Sequence, residues 1–104
     1  MQYEKVPQLK KVIIDTDIGL GTPNAAIDDG LAISYAFANQ RVLKVEGIST
    51  VFGNVVGGEA YKNTVKLLSA LREADTRVSK GAVKPLKDQD SIEPSARDAA
   101  ELIT

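Results

Sequence analysis

Four carboxylates lie within fifteen residues near the start of the chain, in the stretch DTDIGLGTPNAAIDD from position 15 to 29. They are Asp15, Asp17, Asp28 and Asp29. The chain has no Lys or Arg from position 12 to 40 that could neutralise them. Negative side chains held close together destabilise one another unless a cation or hydrogen-bond donors compensate. Because hard cations such as Ca²⁺ and Mg²⁺ prefer oxygen ligands, the stretch indicates a cation site.

The composition narrows the chemistry that is open to this chain. It has no His and no Cys, so catalysis would have to use carboxylates, hydroxyls, Lys or a metal-bound water. Its 104 residues, 43% hydrophobic and 26% charged, allow one globular domain with a modest core. The net charge of −1 gives no reason to expect nucleic acid as a partner. No segment has the length of a membrane span or the core of a signal peptide, so we expect a cytoplasmic protein without membrane contacts.

Alternating strand and helix patterns must position these carboxylates. The β-branched residues 11–14 predict a buried strand, and residues 18–27, with two Gly, a Pro and an Asn, predict a loop. A helix is expected to begin at Asp28 or Asp29, and a second strand at residues 43–53, with a break or bulge near Gly47. A second helix follows Gly57 and Gly58. Its predicted core-facing side is Tyr61, Val65, Leu68 and Leu71.

The order of these elements predicts the fold class. A weak third strand at residues 77–82 completes a strand, helix, strand, helix, strand order, which is typical of a parallel α/β sheet with Rossmann-like crossovers. A polar loop is expected from residue 87, followed by a short terminal helix from Pro94. Ligands of such sheets bind beyond the carboxyl ends of the strands. Asp15, Asp17, Asn54 and Gly81 are all predicted at that edge.

Ordinary structural roles could explain each polar residue singly. Asp28 or Asp29 could cap the helix, Asp15 could accept from loop amides, and Asn54 could belong to a turn. Two other motif families also fit in part. The segment GLGTPN has only two of the three glycines of a dinucleotide-binding loop, and the D-x-D of haloacid dehalogenase-type phosphatases would leave Asp28 and Asp29 without a role.

Three motifs, in the right order, resemble the inosine–uridine-preferring nucleoside hydrolases. These motifs are DTDIG followed by DDG, then STVFGN, then GAVKPL, and NTVKLL is similar to the second helix of that family. The resemblance covers residues 11–86. Ile18 replaces the usual Pro, LGTPNAAI is an insertion between Gly19 and Asp28, and the family's chains are much longer. The resemblance therefore implies a truncated form of the enzyme with little activity alone.

The resemblance also implies a reaction and a role for each site residue. Ribonucleosides would be hydrolysed at the N-glycosidic bond to ribose and base by a water that Ca²⁺ activates. Asp17 would be metal ligand and general base, and Asp29 a metal ligand. Asp28 would bind ribose hydroxyls, and Asn54 would lie near the water and the sugar. Asp15 would orient Asp17 or bind at the edge.

The domain organisation follows from the same resemblance. Residues 1–10 would be an N-terminal extension, residues 11–86 a partial nucleoside hydrolase domain, and residues 87–104 the polar loop and short helix. A non-catalytic α/β module remains the alternative from a different functional class. Half a sheet would also expose a strand edge and apolar helix faces, so homo-oligomers are plausible partners.

Overall fold

The elements follow the order expected from the sequence. The structure is a computed structural model that describes residues 8–55, 58–82 and 94–103. It contains β1 (Lys10–Thr16), α1 (Asp28–Ala38), β2 (Leu43–Thr50), α2 (Glu59–Ala70), β3 (Val78–Lys80) and α3 (Pro94–Ile103). The predicted α/β class is therefore confirmed.

The three strands form one parallel sheet in the order β1-β2-β3. Thr16 pairs with Thr50, and Thr50 pairs with Lys80, so the last residues of all three strands are in register. Asp17, Val51 and Gly81 therefore leave the sheet side by side, at its carboxyl edge. The backbone N–H of Gly81 donates to Thr50 at 2.6 Å, and that of Val51 donates to Thr16 at 3.0 Å, which continues the pairing into the loops.

The bulge predicted near Gly47 is confirmed. The pairing moves from Val12 with Val45 to Ile13 with Gly47, so Glu46 is an extra residue in β2. Gly47 is buried, and a Cβ there would lie 2.6 Å from Leu102 of α3. Ile48, the next residue, belongs instead to the core formed with α1 and α2. Since neighbouring strand residues point to opposite faces, α3 covers the face of the sheet opposite to α1 and α2.

The core includes residues from the loops as well as from the helices. Ile48 packs with Ile33 of α1 and with Ala60 and Leu68 of α2. Ile18, after β1, is 0% exposed, and Val55, after β2, is 4% exposed. Buried apolar side chains in both loops fix the backbone just beyond the strand ends, close to the predicted site.

The predicted buried face of α2 was partly wrong. Leu68 is buried as expected, whereas Tyr61 and Leu71 are half-buried and Val65 is 44% exposed. Buried positions of α2 at intervals of four residues are Ala60, Thr64 and Leu68. The true face is rotated by one residue because small and polar side chains, which a hydrophobic pattern ignores, occupy most of it.

The C-terminal part of the chain is described only from Pro94 onwards. The terminal helix predicted there is confirmed as α3. The polar loop predicted from residue 87, the VKPL part of the third motif and residues 1–7 of the predicted extension lie outside the described residues. None of the helices in the described ranges is long and apolar enough to cross a bilayer.

Candidate active site at the carboxyl edge of the sheet

Asp17 lies directly after β1, half-buried against the loop that follows β2. Its Oδ2 accepts a hydrogen bond from the backbone N–H of Asn54 at 2.9 Å. The neighbouring Gly53 has a φ of 152°, and a Cβ at this position would collide with the Asp17 carboxylate. The sequence therefore needs glycine here for two reasons, since the backbone angle is unfavourable for other residues and the carboxylate occupies the space.

Asp29 follows the 18–27 loop in the chain, and its side chain lies at the end of β1. It is half-buried in the first turn of α1, and its Oδ2 accepts from the Thr16 hydroxyl at 2.6 Å. The insertion thus lies outside the sheet, between the end of β1 and the start of α1. Helix capping by Asp28 or Asp29 was wrong, because the N-cap residue is Ile27 and makes no side-chain capping bond. Both carboxylates instead lie in the first turn, where the helix dipole favours negative charge.

The other two carboxylates are exposed. Asp28 lies beside Asp29 in α1. Asp15 lies inside β1, and its Oδ1 accepts from the hydroxyl of Ser49 at 2.6 Å. Ser49 is the residue that pairs with Asp15 across the β1 and β2 register and is 0% exposed. The described hydrogen-bond partner of Asp15 is therefore Ser49, and the expectation that Asp15 orients Asp17 or binds at the edge stays a prediction.

Asn54 joins the loop after β2 to the 18–27 loop. Its side-chain Oδ1 accepts from the Ala26 N–H at 2.9 Å, and its Nδ2 donates to the Ala26 carbonyl at 2.6 Å. The amide group therefore makes a two-bond bridge to the backbone of one residue. The predicted position near water and sugar stays a prediction, since the structure uses this amide to hold a loop.

Sequence reasoning missed several polar residues that hold the site together. Thr16 and Ser49 position carboxylates, and Asn63 of α2 donates to the Ile18 carbonyl at 3.1 Å and to the Thr22 hydroxyl at 2.8 Å. Asn63 is only 2% exposed. Asn63 lies three residues after Ala60 and five before Leu68, on the buried face of α2. A correct assignment of that face would have indicated that Asn63 is buried.

The predicted cation site can be compared with the oxygen donors of the described residues. Asp17 and Asp29 offer hard oxygen donors at one end of β1, which suits Ca²⁺ in ligand type. Among residues 8–55, 58–82 and 94–103, however, no group of three or more acidic, His or Cys side chains could hold an ion. Ca²⁺ takes about 6–8 oxygen ligands, so these residues would leave most of its coordination shell to other donors.

A small cavity adjoins two of the carboxylates. It has a volume of about 230 Å³ and lies between β1 and α1. Asp15, Thr16 and Asp29 line it on the polar side, and Ile14 and Ile33 on the apolar side. The edge of the sheet thus offers space next to oxygen donors.

Comparison with known proteins identifies the family. A family model described as inosine-uridine preferring nucleoside hydrolase matches residues 12–101. The chain is 40% identical over 81 residues to the probable uridine nucleosidase 2 of Oryza sativa subsp. japonica, covering 78% of this chain and 22% of that protein. It is 40% identical over 78 residues to uridine nucleosidase 1 of Arabidopsis thaliana, covering 75% of this chain and 21% of the relative.

A bacterial relative extends this comparison. The pyrimidine-specific ribonucleoside hydrolase RihA of Salmonella arizonae is 35% identical over 75 residues, or 72% of this chain and 22% of that protein. The matched part of this chain thus corresponds to about a fifth of the length of these relatives. The match favours the resemblance to nucleoside hydrolases over a dinucleotide-binding loop and over a haloacid dehalogenase-type phosphatase. The chain belongs to the inosine–uridine-preferring nucleoside hydrolase family.

Proposed function

We propose that this chain supplies the N-terminal part of a site that hydrolyses ribonucleosides to ribose and a free base. The observation that carries the proposal is the fixed position of Asp17, whose Oδ2 is held by the Asn54 N–H at the carboxyl edge of the sheet. Asp29 is held at the same end of β1 by the hydroxyl of Thr16, the residue before Asp17. Uridine is the first substrate to test, because relatives of this chain are named uridine nucleosidases.

Asp17 is the proposed general base. Because Oδ2 already accepts from Asn54, the second oxygen, Oδ1, is the atom to which we assign the proton of the attacking water. Asp17 and Asp29 would contribute ligands to Ca²⁺, which lowers the pKa of a water that it binds. Asp28, exposed in the first turn of α1, would accept hydrogen bonds from ribose hydroxyls.

The charge of this edge suits the reaction. Cleavage of a glycosidic bond passes through a transition state that resembles an oxocarbenium ion, with positive charge developing on the sugar. Fixed carboxylates around the sugar stabilise this charge more than they stabilise the neutral substrate. The stretch from position 12 to 40 has no Lys or Arg that would cancel this effect.

A non-catalytic α/β module is the second candidate function. Two observations favour it: the Asn54 amide is occupied by Ala26, and the described residues hold no group of three acidic side chains suited to an ion. The two candidates differ in what they predict for Ca²⁺, since only the hydrolase site requires the cation.

Calorimetric titration with Ca²⁺ and a ribose-release assay together test the proposal. The 104-residue chain should bind Ca²⁺ weakly, and Asp29→Ala should abolish the heat, because it removes one of the two ligands that we assign. Asp75→Ala removes an exposed carboxylate outside the site and is the matched control. Equal heats for the Asp29 and Asp75 variants would rule out Asp29 as a ligand.

Hydrolysis is measured as ribose released from uridine. The chain alone should give background rates, because an incomplete shell holds the water loosely. A chimera that joins this chain to the remaining part of the Arabidopsis uridine nucleosidase 1 should be active, and Asp17→Asn should lower its turnover by several orders of magnitude while keeping the fold. A folded chimera without activity would instead support the non-catalytic module.

A further inference from the structure

Asn63 of α2 is a buried polar residue whose side chain is directed at a loop. It is 2% exposed and lies on the helix face that packs against the sheet. Burying an amide costs free energy unless the group is hydrogen-bonded, and an apolar side chain would avoid this cost. The hydrogen bonds of Asn63 leave its own helix and reach the Ile18 carbonyl at 3.1 Å and the Thr22 hydroxyl at 2.8 Å.

The first of these bonds fixes the residue next to the proposed general base. Ile18 follows Asp17, and its side chain is 0% exposed in the core. Its carbonyl is fixed as well, through Asn63. Asp17 is held on its other side by the Asn54 N–H at 2.9 Å. The backbone that carries Asp17 therefore has little freedom to rotate as long as the Asn63 amide is present.

The second bond fixes the insertion itself. Thr22 lies within a pair of turns, since its N–H donates to Gly19 at 2.9 Å and its carbonyl accepts from Ala25 at 3.3 Å. Its hydroxyl accepts from Asn63 and lies 3.5 Å from Glu59 of α2. Asn54 holds the far end of the loop at Ala26. The segment between Asp17 and Asp29 is thus attached at both ends to parts of the chain that follow β2.

We propose that Asn63 is a positioning residue, which sets the direction of Asp17 by fixing Ile18 and the 18–27 loop. Its relevance to catalysis rests on the proposed function, whereas the positioning itself concerns only this chain. Asn63 makes none of its described hydrogen bonds to a carboxylate, so its effect on Asp17 is transmitted by the backbone.

The test compares Asn63→Leu with Thr64→Val in the 104-residue chain. Thr64 is the adjacent residue of α2, is 0% exposed, and donates only to Ala60 of its own helix, at 2.8 Å. Both variants thus remove a buried hydrogen bond, but only Asn63→Leu removes bonds to the loop. Amide hydrogen exchange of Thr22, Ala25 and Ala26, measured by NMR, reports on the loop.

The Asn54 amide proton provides a second measurement. It donates to Asp17, so its chemical shift reports on the position of that carboxylate. Asn63→Leu should raise exchange at the three loop amides about tenfold or more and should move the Asn54 amide proton upfield. Thr64→Val should leave both unchanged. If Asn63→Leu does not fold, Thr22→Val, which removes only the hydroxyl, should raise loop exchange by a smaller factor.

Two outcomes would overturn the proposal. One is that Asn63→Leu shows wild-type loop exchange and a wild-type Asn54 amide shift. If Asn63→Leu does not fold, the same result for Thr22→Val counts in its place. The other is an equal effect of Thr64→Val, which would indicate a general loss of core packing. Because neither measurement uses Ca²⁺ or a nucleoside, the result stands whether or not the proposed hydrolysis is found.

Discussion

Gly53 illustrates how one residue can control a neighbouring charge. It combines a φ of 152° with a position where an added Cβ would collide with the Asp17 carboxylate. We expect Gly53→Ala to destabilise the fold by about 1–3 kcal/mol from backbone strain, and to displace Asp17 as well. Chemical denaturation measures the first effect, and the NMR shift of the Asn54 amide proton measures the second.

Gly58→Ala is the control for this substitution. Gly58 has a φ of −90°, which any residue adopts, and the nearest atom to an added Cβ is the flexible Lys80 Nζ at 3.1 Å. Gly58→Ala should therefore leave the stability unchanged or raise it by about 0.4–1 kcal/mol, by restricting the unfolded chain. If both variants lost stability equally, the special role of Gly53 would be refuted.

Sequence alone indicated the residues of the candidate site that belong to motifs, but not the polar residues elsewhere in the chain that hold this part of the fold in place. Asp17, Asp29 and Asn54 stand in motifs at characteristic spacings. Asn63 and Thr16 have no such spacing, because their partners are 45 and 13 residues away in the chain. Whether a polar group faces a loop depends on the rotation of its helix or strand against the sheet, and that rotation is set by tertiary packing.

At the scale of elements, α2 provides the clearest test of packing. Leu68 is 2% exposed, so Leu68→Ala should lower the free energy of unfolding by about 2–5 kcal/mol through lost burial and a new cavity. Lys66→Ala, at an exposed position of the same helix, should change it by less than about 0.5 kcal/mol. Equal denaturation midpoints for the two variants would show that the helix face is assigned wrongly.

The strands were easier to predict than the face of α2. β1 consists largely of β-branched residues, β2 contains Val45, Ile48 and Thr50, and Gly47 is unusual enough inside a strand to indicate the bulge. The face of α2 was rotated by one residue because Val65 appeared in the apolar pattern although it is 44% exposed. In a short helix, an apolar pattern counts an exposed Val and a buried Leu equally, so one exposed Val is enough to shift the predicted buried face.

At the scale of the whole molecule, the described sheet has an open edge at β1. Among the described strands, β1 pairs only with β2, and its exposed side chains are the apolar Ile13, at 40%, and the charged Lys10, Lys11 and Asp15. Leu31 and Tyr35 of α1 are 60% and 68% exposed. Edge strands and apolar patches favour association, so we propose that the chain self-associates through β1.

Analytical ultracentrifugation of Ile13→Lys tests this association. A charge on an edge strand opposes pairing with another chain, so the variant should sediment as a monomer at concentrations where the wild type associates. Val65→Lys places the same charge at a position of similar exposure, 44%, on α2. Self-association that is lost in both variants, or in neither, would show that the β1 edge is not the contact.

The extra residue at Glu46 marks a position where β2 can change its length without changing its pairing. Deleting it would leave Ile13 opposite Gly47 and Ile14 opposite Ile48, so that Ile48 would still point towards α1 and α2. The eight residues LGTPNAAI fit between Gly19 and Asp28 for a different reason, because they leave the sheet altogether. The chain can therefore change its length both in the loop beside the site and at the bulge in the middle of β2.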